Sequence, residues 1–117
     1  MANDSTEFTL WYGPILIGNI VKAFESEWTW YGTLKREISS DQGPLARRLL
    51  DFIGFCKEWN ERARNRSDPP DAAEFDQFSD LLQSGQWMTK DSSGRANIVA
   101  EAPVFFEGGD VTWRVAS

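Results

Sequence analysis

The stretch PLARRLLDFIGFCKEWNERARNR, residues 44–66, decides the fold. At about 100° per residue, Leu45, Leu49, Phe52, Ile53, Phe55, Cys56 and Trp59 fall on one side of a helix, and Ala63 extends the stripe. An apolar face roughly half the helix wide cannot stay in water. Pro44 suits the first helical position, where its missing N–H costs nothing. Gly54 falls on the solvent side and weakens the helix by ~1 kcal/mol there. Asn60 lies inside the stripe and, if buried, needs hydrogen-bond partners. We expect these to be backbone groups where the helix meets a sheet, so Asn60 is read as structural.

The cover for this helix must come from the β-prone runs on either side of it. Upstream, Phe8–Tyr12 reads as a strand stopped by Gly13 and Pro14. Ile15–Phe24 and Trp28–Arg36 read as a hairpin around the link Glu25-Ser26-Glu27. A three-residue loop sets Phe24 opposite Trp28 and Lys22 opposite Trp30, so that Phe24, Ile20, Leu16, Trp28, Trp30 and Leu34 share the helix side. Ile15, Ile17, Val21 and Tyr31 then fall on the outer face. Gly13, Gly18 and Gly32 mark bends, bulges or close backbone approach.

Downstream, Ser67-Asp68-Pro69-Pro70 breaks the chain and a second helix follows. Asp71 and Glu74 are spaced as a capping box, Phe75, Phe78, Leu81 and Leu82 form the buried stripe, and Ser84-Gly85 ends it. Gln86–Lys90 and Arg95–Glu107 read as strands, with Pro103 at an edge or bulge. Gly108-Gly109 signals a two-residue turn pairing Phe106 with Val111 and Val104 with Trp113. The expected fold is α+β, two helices packed on one face of a largely antiparallel sheet that is either open or strongly curled, in the order βββ-αα-βββ. Residues 1–7 are expected to be disordered or loosely held, and residues 8–117 to form a single domain.

Charge and composition narrow the function. Eighteen acidic against 12 basic residues give a net charge of −6, which argues against nucleic acid as a partner. Residues 44–66 carry a net of +3, leaving −9 for the rest, so the acidic 68–85 segment is expected beside the basic helix. Within the helix, Arg47/Asp51 and Glu58/Arg62 are spaced as i,i+4 pairs. No apolar run reaches the ~18 residues of a membrane span, and no signal peptide is recognisable, so a cytoplasmic protein away from membranes is expected. A single cysteine agrees with a reducing compartment.

The chain has no histidine, which removes Ser-His-Asp and Cys-His nucleophilic sites and most transition-metal sites. Cys56 sits mid-stripe and reads as a small buried hydrophobe. Glu25/Glu27 and Asp76/Asp80 read as solvated surface acids, and Glu107-Gly108-Gly109-Asp110 leads into a strand and so cradles no phosphate. No cofactor or metal is expected. Six tryptophans are many for this length; they read mainly as core, with one or two left for a binding surface.

The expectation is therefore a non-enzymatic protein acting by macromolecular binding. An antitoxin- or immunity-like role against a basic partner would suit the acidic charge. A small-ligand or carbohydrate module with a Trp-lined pocket is the alternative. The expected interaction face is Ile15, Ile17, Val21 and Tyr31, and pairing with a second copy of the chain, a homodimer, is the simplest use of it.

Overall fold

The structure is a computed structural model that describes residues 6–65 and 72–116. The chain runs β1 (Thr6–Tyr12), β2 (Ile15–Ser26), β3 (Thr29–Arg36), α1 (Pro44–Asn65), a 3-10 helix Ala72–Phe78 that passes into one α-turn, α2 (Ser79–Leu82), then β4 (Trp87–Asp91), β5 (Ala96–Ile98), β6 (Val104–Phe105) and β7 (Asp110–Trp113). The strands form one antiparallel sheet in the order β5-β4-β1-β2-β3-β7-β6. This is the expected α+β architecture. One expected strand, Arg95–Glu107, is split into β5 and β6; between them Glu101 takes φ 60° and Pro103 precedes the edge strand β6. β1 begins at Thr6, two residues before the expected start of the domain.

The sheet is open but strongly curled. Just past β5 and β7 the chain meets itself in an antiparallel bridge, Val99 to Val115. Hydrogen bonds from Ala100 N to Arg114 O and from Ala116 N to Ile98 O, both 2.8 Å, flank it. The inner face collects Phe8, Leu10, Ile17, Ile20, Trp87 and Val111, and α1 lays Leu49, Phe52, Ile53 and Cys56 against it. The Phe52 ring meets those of Phe78, Trp87 and Phe105 at 5.3–6.1 Å. Burying a side chain of this size contributes roughly 1.5–3 kcal/mol. Asn60 ties the helix to the sheet as expected, its Nδ2 donating to Cys56 O at 2.9 Å and Phe105 O at 3.1 Å.

The helical stripe is correct except at its start: Leu45 is 40% exposed and Ala46 is buried in its place. The second helix is shorter and tighter than expected, mostly 3-10, while Phe78 and Leu81 still turn inward. The capping-box residue Asp71 lies outside the described residues. This acidic segment does dock on α1, through Arg48–Asp80 at 2.5 Å and Arg62–Glu74 at 2.8 Å. The i,i+4 pairs therefore give way to tertiary ones: Arg62 reaches Glu74 rather than Glu58, and Arg47 Nε donates to Ser40 O at 3.2 Å.

Both hairpin registers differ from the sequence reading, for one physical reason. A shift by an odd number of residues turns side chains to the opposite face. The shift is one at β6–β7 and three at the β2–β3 tip, but an even two below the β2 bulge, where Ile20 and Leu34 keep their side. At β6–β7 the turn holds three residues, Glu107–Gly109, with Phe106 N bonded to Asp110 O at 2.9 Å and Gly108 and Gly109 at positive φ. Phe105 pairs with Val111 and points inward, and Val104 pairs with Thr112. At β2–β3 the turn holds two residues, Glu27 and Trp28, with φ 51° and 71°. That is the geometry of a type I′ turn, built without the usual Asn-Gly.

Candidate functional site: the β2–β3 hairpin

Strand β2 carries two irregularities that decide which side chains face out. Its register against β1 slips between Leu10 and Trp11, leaving Ile17 unpaired, and slips again near Lys22, where φ is 58°. Each added residue reverses the in–out alternation. Ile15, Ile17, Ile20 and Ala23 consequently all turn toward the core.

The expected face of Ile15, Ile17, Val21 and Tyr31 is therefore divided. Ile17 is completely buried and Ile15 is partly buried against the core. Val21 is half-buried and pairs with Thr33 on the outer face, and Tyr31 remains outside, 37% exposed. In the set expected on the helix side, Ile20, Trp30 and Leu34 do contact the core. Phe24 and Trp28 do not: they are 58% and 85% exposed.

These displaced rings make a surface. Phe24 pairs with Tyr31 across the strands, and their rings stack at 5.2 Å with an interplanar angle of 15°. Trp28 stands at the tip of the same hairpin. One residue before Tyr31, Trp30 points the other way, edge-on to Phe8 at 5.1 Å and stacked on Trp113 at 6.0 Å. The strand thus places one ring in the core and the next in solvent, as its period of two requires. Gly32 lets β3 lie close on β2 within the hairpin, since a Cβ there would sit 2.5 Å from Ile20 Cγ2.

Beside the stacked pair lies a cleft of about 500 Å³. Phe24, Tyr31 and Phe106 supply apolar walls, and Lys22 and Arg64 bring positive charge. Asp110, Thr33 and Thr112 add oxygen atoms. Arg64 has a loose pairing with Glu61, at 3.8 Å. Among the described residues, Lys22 has no ion-pair partner. None of the tryptophans lines this cleft; Trp87 and Trp113 are in the core.

Other groups weighed from the sequence are accounted for structurally. Cys56 is buried, and burial pushes its thiol up to about 12, so it carries no thiolate at neutral pH. Asp80 is held below the usual carboxylate range by its hydrogen bond from Arg48. Asp91 is lowered likewise by Ser93 and the Arg95 amide within a tight turn. No described helix is long and apolar enough to cross a membrane.

Phe24 and Trp28 escaped the sequence reading because a bulge at a lysine and a type I′ turn at Glu-Trp carry none of the residue signals for those features. The usable hint was the polar run Glu25-Ser26-Glu27, which marks the strand end as solvent-facing. Comparison with known protein families, characterised proteins and solved structures finds no match to this chain.

Proposed function

We propose that the chain is a non-enzymatic, cytoplasmic binding protein that engages a protein partner through the tip and outer face of the β2–β3 hairpin. The observation that carries this reading is Trp28, 85% exposed and held at φ 71°. A left-handed conformation costs an L-residue roughly 1–2 kcal/mol, and an exposed indole returns nothing to the fold. Such a ring at such a backbone position is better suited to contact than to folding. Phe24 and Tyr31 stack next to it and extend the aromatic area, and aromatic rings dominate the energetics of protein interfaces. The acidic net charge favours a basic partner at long range, consistent with an antitoxin- or immunity-like role.

A homodimer through Ile15, Ile17, Val21 and Tyr31 loses support because Ile17 belongs to the core. A Trp-lined ligand pocket loses support in the same way. The test is a Trp28→Ala, Phe24→Ser variant compared with the wild type for capture of partners from the source cell and for sedimentation. The variant should keep its circular dichroism and lose the captured protein. If it retains that protein, or if it unfolds, the hairpin is not the binding surface.

A further inference from the structure

The cleft beside the hairpin combines features that fit one kind of chemical group. Two cationic side chains, Lys22 and Arg64, reach it, against one carboxylate, Asp110. Its volume, about 500 Å³, is in the range of sites that hold one small organic group. Its walls include the stacked rings of Phe24 and Tyr31 together with Phe106. Lys22 is delivered there by the β2 bulge, in a backbone conformation that side-chain-bearing residues rarely adopt. The arrangement therefore holds positive charge, flat apolar surface and acceptor oxygens within one small volume.

We propose that this cleft receives the C-terminal residue of a partner polypeptide, one that ends in an aromatic side chain. The terminal carboxylate would meet Lys22 and Arg64, and a guanidinium is well shaped to hold a carboxylate through two N–H groups. The ring would lie against Phe24, Tyr31 and Phe106. The backbone N–H of the last residue would donate to Asp110 or to a threonine hydroxyl, which gives the acidic side chain a role that a simple anion would not. The inference rests on the hairpin as the interaction surface, and it names the part of the partner that enters beside the rings.

Three probes separate the terms. N-acetyl-phenylalanine carries carboxylate, ring and amide N–H; N-acetyl-phenylalaninamide lacks the charge; phenylacetate lacks the N–H. Each is titrated into the ¹⁵N-labelled full chain, following the amides of Tyr31, Thr33 and Thr112. N-acetyl-phenylalanine should give saturable shifts at these amides. The other two should bind at least tenfold more weakly, and a Lys22→Gln, Arg64→Gln variant should bind the acid no better than the amide. Equal binding of N-acetyl-phenylalaninamide would show that charge has no part. Equal binding of phenylacetate would show a site for free organic acids instead of a chain terminus. Absence of any saturable shift at these residues also overturns the proposal. These outcomes leave partner capture by Trp28 as a separate result: if the probes fail and capture still depends on Trp28, the hairpin reading stands without the cleft.

Discussion

Phe52 and Trp28 are both large rings, one in the middle of a helix and one in a turn, and they sit in opposite situations. Phe52 is enclosed by Phe78, Trp87 and Phe105 where α1 crosses the curled sheet. Trp28 projects from a two-residue turn, with most of its surface in solvent. At the helix–sheet contact, sequence, local structure and packing agree. At the hairpin tip they conflict: an apolar residue is exposed, and a side-chain-bearing residue takes a glycine conformation. Conflict of this kind between local preference and fold is where functional surfaces tend to be found.

Substitutions should separate the two regions, the largest effect first. Phe52→Ala opens a cavity among packed rings and should cost ~3–5 kcal/mol in denaturant titration. Asn60→Ala leaves Phe105 O without its helix partner and should cost about 1–3 kcal/mol by the same measurement. Trp28→Gly should behave in the reverse sense, raising stability by about 1 kcal/mol, because glycine adopts this conformation freely. A loss of several kcal/mol in that variant would mean that Trp28 packs against the fold.

The smallest effect concerns pH. The Asp80 carboxyl is lowered from its ordinary 3.8, first by the side-chain hydrogen bond from Arg48, so its contribution is present above that value and is lost as pH falls through the depressed one. Asp80→Asn should therefore be slightly less stable than the wild type at neutral pH, and the two curves should converge in acid, below the ordinary carboxylate range. The pair is exposed, which keeps the difference small.

The same contrast explains what could be read from sequence. The α1 stripe was legible because helical periodicity is long, repeated over several turns and insensitive to one misplaced residue, as Leu45 illustrates. The α+β class, the docking of the acidic segment on α1 and the backbone partners of Asn60 followed from that stripe and its charges. Strand faces were less legible because a single bulge reverses them. Ile17 and Ile20 lie three apart, yet both point inward, which no simple alternation allows. At β6–β7 the glycine pair marked the turn correctly, but one extra residue in the loop moved Phe105 into the core in place of Phe106. The candidate site was hidden by these same irregularities: the aromatic residues were visible, and their direction was not.

The most direct test of the hairpin account is the solvent exposure of each indole N–H in the free protein. A ¹⁵N spectrum of the tryptophan side chains, with Trp28→Phe assigning one resonance, can be recorded with increasing amounts of a soluble paramagnetic agent. The Trp28 signal should broaden first. Those of Trp113 and of Trp87, whose Nε1 donates to Leu81 O at 2.9 Å, should broaden last. If the Trp28 signal is as protected as that of Trp87, the hairpin tip is packed, and the surface described above does not exist in the free chain.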